Sequence, residues 1–187
     1  MPLRFTPLDA LPDVLVVDPQ VFGDERGFFL ESYKASEFRA AGLPTDVVQD
    51  GHSRNVGKGI LRGLHYQEPP AGQGKLVRCT VGSCFDVVVD LRRKSPTFSR
   101  WASLDLNAES KRMVWIPEGF AHGYLTTSDV CEVEYKFTGH EFSARHYRTL
   151  RWDDPAIGIR WPLKQPQLSP KDATARGLGE SQGSFWP

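Results

Sequence analysis

The stretch Gly59-Ile60-Leu61-Arg62-Gly63-Leu64-His65-Tyr66-Gln67 carries the residue best suited to chemistry. Read with a period of two, it sets Leu61, Gly63, His65 and Gln67 on one face and Ile60, Arg62, Leu64 and Tyr66 on the other. An imidazole sharing a face with small and polar residues is out of place in an ordinary core strand. It fits the inner wall of an open barrel, with His65 projecting into a cavity as a general base. A lone strand histidine is otherwise most often structural, so its neighbours matter. Arg62 is close in sequence, and Lys75 opens the strand that follows. Cations beside the ring lower its pKa and keep it neutral, and they suit a substrate that is anionic or becomes so during reaction.

Other side chains extend this chemistry. Tyr135, in Glu132-Val133-Glu134-Tyr135-Lys136, shares a strand face with Val133 and Phe137. Its phenol is either core packing or a proton donor facing His65 across a barrel. Asp172, in Leu168-Ser169-Pro170-Lys171-Asp172, is either a solvated loop carboxylate or the group that orients the His65 ring. Arg26, Arg62, Lys75 and Lys171 are candidate phosphate contacts, although each taken singly is an ordinary surface charge. A metal site is poorly supported. Tyr66 and Gln67 follow His65 where a metal-binding barrel places a second histidine, and His122 stands alone in Gly119-Phe120-Ala121-His122-Gly123.

The elements that must position these groups read as short strands. Apolar or alternating runs predict strands at residues 14–17, 28–33, from 47, 75–81, 84–91, 101–106 and 113–116, with a turn over residues 23–27. Residues 121–127 and 130–138 read as a pair joined at Ser128-Asp129. Ser36 is placed to cap a short helix at 37–41, stopped by Gly42 and Pro44. Strands with turn signals roughly every 8–12 residues predict an all-β sandwich or barrel. The tail after Pro162 is rich in Pro, Gly and Ser and predicts irregular structure, partly mobile over residues 177–187.

Composition sets the bounds. A length of 187 residues predicts one domain. Lys+Arg and Asp+Glu both number 23, so long-range attraction to nucleic acid or an anionic membrane is not expected. Cys79, Cys84 and Cys131 lie in apolar runs, as reduced, buried thiols of a cytoplasmic protein do. Met1-Pro2-Leu3-Arg4-Phe5 opens no long apolar run, so no signal peptide is expected. No stretch approaches the ~20 apolar residues of a membrane span.

Taken in order, several blocks resemble the dTDP-4-dehydrorhamnose 3,5-epimerase family. They are Val21-Phe22-Gly23-Asp24-Glu25-Arg26-Gly27-Phe28-Phe29, Leu61-Arg62-Gly63-Leu64-His65-Tyr66-Gln67, Gln73-Gly74-Lys75-Leu76-Val77-Arg78-Cys79, Trp115-Ile116-Pro117-Glu118-Gly119-Phe120-Ala121-His122-Gly123, Arg151-Trp152-Asp153-Asp154-Pro155 and Leu168-Ser169-Pro170-Lys171-Asp172. The resemblance implies a cupin jelly-roll barrel with short peripheral helices, a homodimer, and no metal or organic cofactor. It implies a dTDP-linked 4-keto-6-deoxyhexose as substrate. By resemblance His65 is the base, Asp172 its partner, Tyr135 the acid on the opposite face, and Lys75 the cation beside the keto oxygen. Arg26, Phe28, Glu31, Gln49, Arg62, His122 and Lys171 match nucleotide-sugar contacts, and Phe142 aligns with an aromatic that stacks on thymine. The N-terminal strands of such dimers exchange, so Arg26 and Glu31 are expected to serve the neighbouring subunit.

This chain also departs from the family pattern. Gly51 follows Gln49-Asp50 where the family usually has Asn. After Tyr135 the family commonly runs Lys-Thr-Thr-x-Tyr-Tyr, against Lys136-Phe137-Thr138-Gly139-His140-Glu141-Phe142 here. A family glutamate falls on Tyr147. These changes flank the pocket and leave open an enzyme that epimerises only C3 or only C5 for an unusual deoxysugar. The rival classes are a non-catalytic sugar-nucleotide-binding cupin and a metal-dependent cupin isomerase or dioxygenase. A binder has no need of a base, an acid and an enolate-stabilising cation together.

Overall fold

Alternation of side chains along the strands builds two antiparallel sheets around one core. The computed structural model describes residues 3–181 and Trp186. Its strands are β1 (Arg4–Leu8), β2 (Leu11–Asp18), β3 (Val21–Asp24), β4 (Gly27–Leu30), β5 (Val47–Val56), β6 (Leu61–Gln67), β7 (Gln73–Val81), β8 (Ser83–Asp90), β9 (Trp101–Asn107), β10 (Met113–Ile116), β11 (Phe120–Thr126), β12 (Val130–Gly139) and β13 (Tyr147–Thr149). Two short helices are α1 (Ala35–Ala40) and α2 (Pro170–Ala173). One sheet has the order β1-β2-β10-β7-β12-β5, the other β13-β6-β11-β8-β9, and β3 and β4 form a separate hairpin. This is the expected cupin jelly-roll barrel.

Each large sheet is covered on both faces. Between the sheets lies a core that includes Val77, Val88, Val114, Tyr124 and Val133. Outside the six-stranded sheet, Phe38 of α1 packs on Leu76, Met113 and Trp115. Outside the five-stranded sheet, Leu150 and Ile157 of the C-terminal segment pack on Leu64, Val87 and Val89. β12 shows the logic in a single strand. Cys131 and Val133 face the core, while Glu132, Glu134 and Lys136 point outward to Arg54, Arg78 and Asp50.

Several expectations change. β11 and β12 are not a pair, because the segment after Thr126 crosses from the five-stranded to the six-stranded sheet. Helix α1 begins after Lys34 with no side-chain cap, so Ser36 lies inside it rather than capping it. The strand expected at 28–33 stops at Leu30. β1 had no periodic signal, since Arg4, Thr6 and Pro7 interrupt its apolar residues. The tail is tied down by bridges from Gln167 to Ile60 and from Arg176 to Leu150. Of the stretch expected to be mobile, residues 182–185 and 187 lie outside the described residues, as do Met1 and Pro2 of the N-terminal reading.

The three thiols are free and buried. Their sulfur atoms converge within 4.8 Å of one another inside the inner core. Among the described residues, no helix is long and apolar enough to cross a membrane.

Glycine is required at one point beside the cavity. Gly63 has φ +136°, and a Cβ there would lie 2.6 Å from the Gly123 Cα on the neighbouring strand. The β6–β11 register shifts at this contact. Gly63→Ala forces two backbones apart and carries at least the ordinary overpacking cost of about 1–3 kcal/mol. Calorimetry should therefore show Tm lowered by roughly 2–12 °C, and an unchanged Tm would contradict the close approach.

Candidate active site

A cavity of about 290 Å³ opens between the sheets, lined by His65, Lys75, His122 and Tyr135 among others. β6 and β11 belong to the five-stranded sheet and supply His65 and His122, while β7 and β12 belong to the six-stranded sheet and supply Lys75 and Tyr135. The base and acid candidates thus face the cavity from opposite walls.

His65 Nε2 lies 2.7 Å from Asp172 Oδ1. Asp172 is buried, and the turn that opens α2 holds it: its backbone N–H donates to Ser169 Oγ at 3.1 Å, and the Ser169 hydroxyl donates to Oδ2 at 2.9 Å. Burial pushes the Asp172 carboxyl up, but bonds from His65, Ser169 and the Gly63 amide outweigh it and hold the group below its ordinary range. An ionised carboxylate only accepts, so Nε2 carries the imidazole proton and Nδ1 holds the basic lone pair. Burial lowers the His65 pKa, the Asp172 bond and charge raise it, and Lys75 and His122 lower it; the net shift is downward. The cationic neighbour expected from sequence acts, but desolvation is the larger cause.

Lys75 Nζ donates to the His65 carbonyl oxygen at 3.2 Å. Burial lowers the ammonium pKa to about 8, against the opposing pull of Asp86. Tyr135 is half-buried, and its hydroxyl stands near those of Tyr124 and Ser53, which themselves meet at 2.9 Å. Burial, with the Tyr124 hydroxyl adding to it, raises the Tyr135 pKa well above the ordinary phenol value, so the proton stays on until something demands it.

Not every candidate meets the others. Arg62 was assigned to the face opposite His65, but the register shift turns it inward, where Nε donates to Asn55 Oδ1 at 2.6 Å. Gln49 Oε1 accepts from the Phe142 amide at 2.8 Å, and both residues line the cavity. Lys171 sits just outside, its Nζ 3.6 Å from the centre of the Tyr147 ring. Arg26, Phe28 and Glu31 lie outside the residues lining this cavity. Arg26 pairs with Asp24, Lys111 covers the Phe28 ring, and Glu31 pairs with Lys34.

Asp86 escaped the sequence reading. It is fully buried, and its Oδ2 lies 2.7 Å from His122 Nε2, forming a second carboxylate–imidazole pair. A carboxylate inside the otherwise apolar run Phe85-Asp86-Val87-Val88 was the available signal. Tyr124 and Ser53 gave none, because Ser53 comes near Tyr135 only through the β5–β12 pairing and Tyr124 only through the approach of the other sheet. The two histidines that line the cavity each spend Nε2 on a carboxylate. Among the described residues, the ligand-spaced cluster of metal-binding groups is instead the thiol trio in the core.

A jelly-roll barrel whose ionisable side chains turn inward on one cavity defines the cupin class, and this chain has that architecture. The match goes further. The chain belongs to the dTDP-4-dehydrorhamnose 3,5-epimerase family, whose sequence profile matches residues 9–180. It is 53% identical over 174 residues to the dTDP-4-dehydrorhamnose 3,5-epimerase of Salmonella typhimurium, spanning 92% of this chain and 94% of that protein. It resembles the solved dTDP-6-deoxy-D-glucose-3,5-epimerase of Legionella pneumophila in complex with dTDP-4-keto-L-rhamnose, with TM-score 0.93, 41% identity, and coverage of 99% of this chain and 97% of that one. ChmJ, a 3'-monoepimerase from Streptomyces bikiniensis solved with dTDP-quinovose, matches with TM-score 0.88 and 32% identity, over 96% of this chain and 91% of that one.

The two titrations predict a bell-shaped pH profile for kcat/KM. Activity should fall at low pH as His65 protonates, with a midpoint below the ordinary 6.5, and fall again above about 8 as Lys75 loses its charge. Asp172→Asn removes a contribution that raises the His65 pKa, so the acid limb should move to still lower pH while kcat drops by about 10²–10⁴. An acid limb left in place would detach Asp172 from the titrating group.

Proposed function

We propose that this chain inverts C3 and C5 of dTDP-4-dehydro-6-deoxyglucose, a dTDP-4-keto-6-deoxyhexose, in the synthesis of dTDP-rhamnose or a related deoxysugar. The observation that carries this reading is the Asp172-backed His65 facing the cavity from one sheet while Tyr135 and Lys75 face it from the other. A C–H bond next to the C4 ketone breaks as His65 Nδ1 takes the proton, and the electron pair moves onto the keto oxygen. The Lys75 ammonium stabilises that enolate, and Asp172 stabilises the imidazolium. The enolate then takes the Tyr135 proton on its other face, which inverts the carbon. His65 releases its proton and the phenolate regains one before the carbon on the other side of C4 reacts. Each positioned acid or base supplies about 10²–10⁴-fold, and the chemistry runs on the chain's own side chains, with the ketone already in the substrate acidifying the C–H bonds.

The nucleotide end falls to Arg62, Gln49, Phe142 and Lys171 at the cavity mouth. Arg26, Phe28 and Glu31 complete the site of a second copy in a homodimer with exchanged N-terminal strands. The support is their distance from their own cavity together with the exposed rings of Phe28 and Phe29 on the β3–β4 hairpin. The buried thiols fit a reducing cytoplasm. A C3-only epimerase is the second reading, favoured by the aromatic Phe137 and Tyr147 rings that line this cavity where the family pattern differs.

Proton NMR of dTDP-4-keto-6-deoxyglucose with the enzyme in deuterated water tests the proposal. Deuterium at C3 and C5 supports double inversion, and deuterium at C3 alone supports the second reading. Deuterium at neither carbon ends both. His65→Ala should cut exchange at least about 10²-fold while retaining dTDP binding. Co-expressing His65→Ala with Arg26→Ala should give mixed dimers with activity that neither variant shows alone; no recovery would argue against exchange.

A further inference from the structure

Tyr135 is held from two directions, and only its hydroxyl end has been accounted for. Its ring stacks on Phe137, with centroids 5.7 Å apart and planes 11° from parallel. In the β5–β12 register Tyr135 faces Gly51 and Phe137 faces Gln49, and on the other side of β12 Phe137 faces Lys75. A Cβ on Gly51 would lie 3.1 Å from Phe137 Cε2 and 3.5 Å from Tyr135 Cδ2. Gly51 is not among the positive-φ glycines, so the backbone there does not demand glycine. The constraint is space, since a Cβ there would press on the Phe137 ring and touch the Tyr135 ring.

We propose that Phe137, seated over Gly51, is a positioning residue that fixes the Tyr135 ring and so decides how much enolate is protonated on the face opposite His65. The inference rests on the epimerase reading above. Once the C–H bond has broken, the enolate has two fates. Tyr135 gives its O–H proton to the far face, the carbon inverts, and the phenolate is refilled from solvent. Otherwise His65 returns a proton to the near face, and the carbon keeps its configuration. In deuterated water the second fate still leaves deuterium on carbon whenever the His65 proton has exchanged. A tilted phenol slows the first fate and spares the second, because His65 and its partner Asp172 stand on β6 and α2, away from the Phe137–Tyr135 stack, and Lys75, although paired with Phe137 from β7, is held by its bond to the His65 carbonyl. Gly51 and Phe137 act as one unit: side chains at both positions compete for the same volume.

The test measures two rates in deuterated water on dTDP-4-keto-6-deoxyglucose, total deuterium incorporation and inversion. The native enzyme should invert in most exchange events. Phe137→Thr should retain deuterium incorporation within about threefold while inversion per exchange event falls between about ten- and a hundredfold, the range for a group displaced by a fraction of its length. Phe137→Tyr keeps the stacked ring and should keep the native partition. Gly51→Ala should lower inversion per event, and adding Phe137→Thr to it should cost no more than Phe137→Thr alone. Equal loss of both rates in Phe137→Thr, or a change in KM alone, would overturn the proposal and leave Phe137 as packing or a substrate contact. So would a native partition in Phe137→Thr. Absence of exchange in the native enzyme would instead refute the epimerase reading itself.

Discussion

A carboxylate at the start of a four-residue helix meets an imidazole 107 residues earlier in the chain, and the cavity depends on that contact. An unpaired charge buried between two sheets would cost several kcal/mol, or the group would neutralise instead. Asp172 avoids this by accepting from His65, from the Ser169 hydroxyl and from the Gly63 amide. Its position in turn requires the tail to lie flat against the barrel, which the pairing of Gln167 with Ile60 and the packing of Leu150 and Ile157 enforce. The C-terminal segment therefore backs the His65 wall of the cavity as well as covering the five-stranded sheet. The same solution recurs within the cavity, where Asp86 backs His122 from a strand with no helix involved.

What the sequence disclosed follows from the range of the forces involved. The strands announced themselves because their signal is local: burial alternates along β5 and over the first half of β12, while β7 is buried on both faces along most of its length and reads as an apolar run. His65 could be placed on an inner wall for the same reason. Arg62 could not, because the register shift at Gly63 depends on contact with Gly123, about sixty residues later. The β11–β12 connection misled because a short polar link serves a hairpin and a sheet-to-sheet crossing equally well. The Asp86–His122 pair lies across the neighbouring strands β8 and β11, and the hydroxyls near Tyr135 come from β5 beside it and β11 on the other sheet, so each depends on strand pairing that the local sequence does not show. The residues alone left Tyr135 between packing and chemistry and Asp172 between a solvated loop and the His65 ring, and it was the ordered family blocks that pointed to chemistry for both.

Lys75 shows why the cavity is built from buried charge rather than from solvated groups. Its ammonium is stripped of water, and burial brings its pKa down to about 8, so holding the charge costs energy in the empty site. A neutral ketone repays little of that cost, whereas an enolate oxygen repays much more, because two opposite charges in a poorly screened cavity attract strongly. In the proposed reaction the interaction would therefore be stronger after the C–H bond breaks than before, which is the condition for a contact to accelerate a reaction rather than merely to bind. The same reasoning explains the high pKa of Tyr135. As the proposed acid, a phenol that resists ionisation would keep its proton until a carbanion-like centre took it, and would deliver it only if its ring were aimed. Desolvation therefore sets the thermodynamics of both groups, and aim becomes the remaining variable, governed by the packing of rings along β12.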